Sequence, residues 1–342
     1  MFAPQDFHLR IFLESHCNFR CVYCNPDAER QEDRVISDEE IIDFLNVASQ
    51  VGIRRVHYSG GEPTLRKGLP DIIRAASRLG FIDQSMTTNG LLLSRNIDAY
   101  SNAGLQRTNI SIDSLRQERF QSLTGKDCLK DVLSAIDKAV ECFGETKINI
   151  VVLKTNVDEI PDFLEFSHKY SGKVVCRFIE LQTNQPIFFQ GHRINHLHVT
   201  HEEIMNIVSS YGEQVPVFIA GKNPNCSYFA IPNTKARFGI IANHSRGYPC
   251  GGCKKVRLSP YGDVGVCITA EGTNIRHTTT AQKKEILLSQ IDYRQKLDEV
   301  NPHRLHLSSD YGFWRWGDLN PSNEARPIPM NSILLEKEIA NE

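Results

Sequence analysis

Six short strand-type runs alternating with helical patterns limit what this chain can fold into more than any other feature. The runs cover residues 9–13, 53–58, 84–88, 107–112, 147–153 and 173–179. Between them apolar residues recur at helical spacing. The first such stretch runs from the capping box Ser37-Asp-Glu-Glu40 to Gly52, and others cover 69–79, 94–103, 127–143 and 161–170. Strands about 20 to 40 residues apart with a helix in each gap form a parallel sheet with right-handed crossovers. Six units fall short of a closed eight-fold barrel. The expected fold is therefore α/β, a partial (β/α)6 TIM-like barrel with its active site at the carboxyl ends of the strands.

The stretch 182–199 breaks this rhythm with Pro186, Gly191 and three histidines, and reads as a long loop leading out of the barrel. Thr200-His-Glu-Glu203 then caps another helix. Beyond it, apolar runs at 215–220 and 238–242 are split by Gly, Pro and Asn, which suits a small antiparallel part of an α+β appendage. The expected division is residues 1–212, the barrel core, and 213–342, the appendage.

At 342 residues the chain can bury a core without staples, and a formal net charge of −2 argues against a general nucleic-acid binder. No apolar run approaches the roughly 18 residues of a membrane span, and the amino terminus lacks the basic and apolar segments of a signal peptide. A cytoplasmic protein is expected. There thiols stay reduced, so ten cysteines point to metal binding rather than disulfides. Six of them fall into two groups. Cys128, Cys142, Cys176 and Cys226 remain; the first three lie in or beside amphipathic or strand-like segments and read as core residues.

The first group is Cys17-Asn-Phe-Arg-Cys21-Val-Tyr-Cys24, just after the first strand run. Three thiols alone cannot complete a four-ligand zinc site, whereas a [4Fe-4S] cluster held by three cysteines keeps one iron open for another molecule. A zinc site that borrows His16, or unligated thiols, are the alternatives. Ser59-Gly60-Gly61-Glu62-Pro63 ends the second run, where glycines let backbone approach a ligand and Glu62 can receive an ammonium. Thr87-Thr88-Asn89-Gly90 and Ser111-Ile112-Asp113 end further runs, and alternation aims some of these small polar groups inward. Each alone is also an ordinary turn. The second group is Cys250-Gly-Gly-Cys253 with Cys267, again three thiolates, with Lys255 and Arg257 between. A zinc ribbon would need a second pair.

The first cysteine group together with the Gly-Gly-Glu-Pro motif resembles the radical S-adenosylmethionine superfamily. With the second three-cysteine array and Arg177-Phe-Ile-Glu180 added, the chain from Leu9 through Cys267 resembles the GTP 3′,8-cyclase family of molybdenum cofactor biosynthesis. That resemblance implies two [4Fe-4S] clusters, one on Cys17, Cys21 and Cys24 and one in the appendage on Cys250, Cys253 and Cys267. It places S-adenosyl-L-methionine on the open iron of the first, beside Tyr23, Gly60, Gly61, Glu62, Thr88, Asn89, Ser111 and Gln182. It assigns Arg10, His57, Lys147, Arg177, Lys255 and Arg257 to a nucleoside triphosphate, whose roughly four negative charges Arg and Lys would offset. An electron donor is implied too, and a homodimer is compatible with it. The implied activity is that of a radical lyase: a 5′-deoxyadenosyl radical takes a ribose hydrogen from GTP, giving 3′,8-cyclo-7,8-dihydro-GTP.

Four departures from that pattern stand out. His57 and Lys255 occupy positions where the family carries arginine, and Gln182 stands where it has methionine. The chain continues from Met330 to Glu342 where the family ends in two glycines. These departures keep two further readings beside the cyclase: a paralogue acting on another nucleotide or a peptide, and an iron–sulfur sensor without turnover. The intact strand-end motifs disfavour the sensor.

Overall fold

All six expected strands form: β1 His8–Phe12, β2 Arg55–Ser59, β3 Asp83–Thr88, β4 Arg107–Ser111, β5 Thr146–Val152 and β6 Val174–Glu180. Each pairs parallel with the next. The structure is a computed structural model that describes residues 3–24, 35–181, 188–189, 192–217, 226–242, 253–266 and 272–300, with the backbone alone at 188–189, 192–193 and 297–300. Helices fill the gaps as α1 Asp38–Val51, α2 Leu69–Arg78, α3 Leu93–Ala103, α4 Gln117–Thr124, α5 Leu129–Phe143 and α6 Ile160–Lys169. The Ser37–Glu40 capping box opens α1, and Gly52, at φ 104°, closes it. Helix α4 lies outside the stretches of helical periodicity expected from the sequence.

Past β6 a two-strand hairpin, β7 Phe188–Phe189 and β8 His192–Arg193, precedes α7 His201–Tyr211, which opens on the Thr200–Glu203 capping box. Then come β9 Val215–Pro216, β10 Ser227–Ala230, β11 Arg237–Ile241, β12 Lys255–Leu258, β13 Asp263–Gly265, β14 Thr273–Asn274 and α8 Thr280–Val300. Antiparallel pairing joins β9 to β10, β10 to β11, β12 to β13 and β13 to β14, as expected for this region. Two of these strands depart from that expectation. β11 lies parallel to β6 and β12 parallel to β1, so the parallel sheet runs β12-β1-β2-β3-β4-β5-β6-β11. The first and last strands of an open six-stranded sheet each present an unpaired edge, and downstream strands cover both. The sheet stays open, ending in β14 on one side and β9 on the other among the described residues.

Burial alternates along β1, β2 and β4. Leu9, Ile11, Val56, Tyr58, Thr108 and Ile110 are buried, and the apolar ones join the core shared with the helices. The intervening residues Arg10, His57 and Asn109 are only half-buried and share the opposite, concave face. A closed barrel fills its interior with branched apolar side chains, whereas here the concave face is a polar lumen. Of the four remaining cysteines, Cys176 and Cys226 are buried, Cys128 is half-buried beside the start of α5, and Cys142 is exposed. The core reading therefore fails for Cys142, which lies on the solvent side of its amphipathic helix. No helix among the described residues is long and apolar enough to cross a membrane.

Candidate active site

The segment carrying Cys17, Cys21 and Cys24 leaves the carboxyl end of β1 and is gripped from three sides. Gly61 N–H donates to Glu14 O at 2.7 Å and Glu62 N–H to His16 O at 2.9 Å. Glycine is required there, because a Cβ on Gly61 would lie 2.1 Å from His16 O and one on Gly60, at φ 138°, 2.7 Å from Glu14 O. From the end of β3, the Asn89 side-chain amide donates to Asn18 Oδ1 at 2.6 Å and to Cys17 Sγ at 3.7 Å. The third wall is α4. Its Leu123 and Thr124 carbonyls accept from Val22 and Arg20 N–H, both at 2.9 Å, while Phe120 meets Phe19 edge-on at 6.0 Å.

Glu62 is buried, and its carboxylate accepts four hydrogen bonds. Thr64 N–H, Thr64 Oγ1 and Thr88 Oγ1 reach Oε1 at 3.0, 2.6 and 2.6 Å, and Asn89 N–H reaches Oε2 at 2.8 Å. Burial raises its pKa, and these donors oppose the rise. Across the loop, Tyr23 Oη donates to Asp113 Oδ2 at 2.5 Å, and Val151 N–H donates to Oδ1 at 2.8 Å. Burial pushes Asp113 up to about 6. Asn156 completes this corner by donating to Asp113 O at 2.8 Å. Ser111 stands nearby at the end of β4, in register with Asn149.

Beneath the loop the lumen carries the cations. Arg257, Arg10, His57 and Ser85 are register neighbours across β12, β1, β2 and β3, as Lys147 is to Asn109 and Arg177 to Asn149. Burial first, then the charges of Arg257 and Arg177, lower Arg10 to about 10. Burial likewise lowers Lys147 to about 8, against the pull of Glu145. Arg177 and Arg257 are buried, and the Nε of each has no hydrogen-bond partner among the described residues. Arg257 Nη1 donates to Val266 O at 2.6 Å; a buried donor left like either Nε is costly, and an anionic acceptor in the lumen would satisfy it. His57 is different: Nδ1 pairs with Ser85 Oγ at 2.8 Å and Nε2 with Thr87 Oγ1 at 2.9 Å. Burial first, then Arg10 and Arg177, holds it well below the usual histidine range, so it is neutral.

Residues 14–167 match the profile of the Radical SAM superfamily and residues 174–299 that of Molybdenum Cofactor Synthesis C. The chain is 32% identical over 326 residues to the GTP 3′,8-cyclase of Heliobacterium modesticaldum, covering 93% of this chain and 96% of that one. Identity to the GTP 3′,8-cyclase of Clostridium botulinum strain Langeland is 33%, over 77% and 82% of the two chains. It is 34% identical to the molybdenum cofactor biosynthesis protein moc-5 of Caenorhabditis elegans, of whose length it spans 44%. The chain belongs to the GTP 3′,8-cyclase family. Two solved structures share its fold. Streptococcus suis SuiB bound to S-adenosylmethionine has TM-score 0.59 at 17% identity, over 77% of this chain and 60% of that one. The enzyme anSMEcpe with bound AdoMet and a peptide has TM-score 0.55 at 16% identity, over 97% and 95%.

Membership in the GTP 3′,8-cyclase family implies a [4Fe-4S] cluster and S-adenosylmethionine, and the loop's chemistry fits the cluster. Burial raises the thiols of Cys17 and Cys21, so thiolates here need a positive partner, and Cys17 Sγ already accepts from Phe19 N–H at 3.4 Å as well as from Asn89. No three His, Cys, Asp or Glu among the described residues converge as a single-ion site needs. A four-iron cluster, in contrast, takes each thiolate on a separate iron.

Tyr23, Gly60, Gly61, Glu62, Thr88 and Asn89 gather around the cysteine loop, while Arg10, His57, Lys147, Arg177 and Arg257 line the lumen. Lys255 lies at the level of His8, farther from the carboxyl ends. Gln182, Cys250, Cys267 and the tail from Met330 lie outside the described residues. Cys253 is half-buried, and its carbonyl accepts from Arg294 Nε at 2.7 Å. Neither α4 nor Arg66 is among the sequence-based expectations. The signal for α4 was Phe120 and Leu123 three apart before Gly125, and for Arg66 a lone guanidinium four residues after Glu62.

Proposed function

We propose that the chain is a GTP 3′,8-cyclase: it takes a ribose hydrogen from GTP and joins that sugar carbon to the purine, giving 3′,8-cyclo-7,8-dihydro-GTP. The observation that carries this is the lumen, where Arg177 and Arg257 hold buried, unpartnered donors beside Arg10 and Lys147. A triphosphate supplies the acceptors and the charge. Cys17, Cys21 and Cys24 would hold the first cluster at the mouth of that lumen. Bound there with S-adenosylmethionine, it supplies a 5′-deoxyadenosyl radical, with an electron donor providing the electron.

In this reading the Gly60-Gly61 turn, Thr88, Asn89, Ser111, Tyr23 and Gln182 orient S-adenosylmethionine. Lys255 lies close enough to the lumen to add positive charge. Cys250, Cys253 and Cys267 hold a second cluster toward the purine, in a portion beginning near residue 213. His57 supplies a neutral hydrogen-bonded floor and no charge. That last point also favours a second reading, a paralogue whose substrate carries less negative charge.

Anaerobic reconstitution tests both clusters at once, since two three-cysteine sets predict about eight irons per chain. Replacing Cys250, Cys253 and Cys267 together with serine should remove about half of that iron and leave S-adenosylmethionine cleavage in place. Full iron retention in the triple variant would rule out the second cluster. A calorimetric panel of nucleoside triphosphates and peptides separates the cyclase from the paralogue.

A further inference from the structure

One buried arginine outside every assigned role holds the chain both before and after the three cysteines. Arg66 follows the Gly-Gly-Glu-Pro turn and is 8% exposed. Its Nη1 donates to Leu13 O at 2.7 Å, where β1 gives way to the loop, and its Nη2 to Ile36 O at 2.6 Å, where the chain returns to α1. Nε donates to Asp38 Oδ1, in the first turn of α1, at 2.5 Å, and Glu14 Oε1 lies 3.7 Å from Nη1. The three acceptors lie in different directions, which a planar guanidinium serves and a single ammonium does not. Gly68 makes room for the third contact, since a Cβ there would sit 1.7 Å from Asp38 Oδ2.

We propose that Arg66 is a positioning residue for the radical chemistry, tying Leu13, before the three cysteines, and Ile36, before α1, to the turn that would lie against S-adenosylmethionine. The same turn holds Glu14 and His16 through backbone hydrogen bonds, so residues 60–66 act as one clamp. Three thiolates must meet one cluster, and the open iron must face the methionyl group. Both conditions need the loop and the turn in fixed register. This rests on reading Cys17, Cys21 and Cys24 as the cluster's ligands.

The test uses the full-length reconstituted protein with Arg66→Ala and Arg66→Lys. The readouts are iron per chain, far-ultraviolet circular dichroism, and the change S-adenosylmethionine induces in the electron paramagnetic resonance spectrum of the reduced protein. Arg66→Ala should keep its secondary structure, lose about half the iron and lose that spectral change. Arg66→Lys should fold, retain iron and bind S-adenosylmethionine about ten-fold more weakly. A 360 Å3 cavity lined by Glu14, Ile36, Asp38, Arg66 and Gly68 opens beside the site, so guanidinium ion added during reconstitution should restore part of the response in Arg66→Ala. If Arg66→Ala fails to fold, Arg66→Lys decides. A wild-type response in either folded variant overturns the role of Arg66. A wild-type protein that takes up no S-adenosylmethionine-responsive cluster overturns the reading of the loop, and the clamp with it.

Discussion

Thr88 Oγ1 donates to Glu62 Oε1 at 2.6 Å, and this contact locks the turn that follows β2 to the end of β3. Asn89 N–H closes the same link through Oε2 at 2.8 Å. With both carboxylate oxygens engaged and the group buried, Glu62 shapes the pocket wall through four donors. An amide in its place presents NH2 to at least one of them, at a cost of about 1 to 3 kcal/mol. Glu62→Gln should lower the thermal midpoint of the cofactor-free protein by about 1 to 4 °C and weaken S-adenosylmethionine binding about ten-fold. An unchanged midpoint with weakened binding would mean that Glu62 meets the ammonium directly and does not brace the turn.

The lumen cations repel one another until an anion arrives. Arg177→Met and Arg257→Met each remove a charge-assisted contact worth about 1.5 to 3 kcal/mol, so the dissociation constant for GTP should rise roughly ten- to hundred-fold. Iron content should not change. Titration calorimetry of the reconstituted variants checks both, and an unaltered GTP constant would count against the lumen as the triphosphate site.

How far the sequence carried depended on how local each signal was. Six strand cores and two capping boxes were readable because period-2 alternation and Ser37–Glu40 or Thr200–Glu203 pairs act over a few residues. The pairing of β11 with β6 and β12 with β1 was not, since an open sheet edge recruits strands from anywhere downstream. The cysteine loop and the glycine pair stood out by spacing. The neutral state of His57 did not, because it follows from two hydroxyls on the next strand and from burial beside Arg10 and Arg177. Arg66 escaped for the same reason: its acceptors are carbonyls of residues distant in sequence.

His57 stands where the resemblance to the family leads one to expect arginine. Arginine at this position would add a further positive charge beside Arg10 and Arg257 and replace the imidazole contacts to Ser85 and Thr87. His57→Arg should therefore lower the thermal midpoint of the free protein, regain it on saturation with GTP, and tighten GTP about ten-fold. Weaker binding in a folded variant would show that the neutral floor positions the substrate.

Lys147 gives the lumen a pH dependence. Burial lowers it to about 8, so in the free protein it is charged below that pH and loses its charge as pH rises through it. A bound polyanion raises its pKa, so binding takes up a proton above about pH 8 and affinity falls there. Calorimetry from about pH 7 to about pH 9.5 should show GTP affinity level below about 8 and declining above it, with Lys147→Arg flat over the same range. A decline that persists in Lys147→Arg assigns the titration to another group.

The central claim is that GTP gives up a ribose hydrogen inside this lumen. Reconstituted protein incubated anaerobically with reductant, S-adenosylmethionine and GTP deuterated at C3′ tests it most directly, with mass spectrometry of the nucleosides. The account predicts deuterium in 5′-deoxyadenosine together with 3′,8-cyclo-7,8-dihydro-GTP. Unlabelled 5′-deoxyadenosine with GTP recovered intact would contradict it.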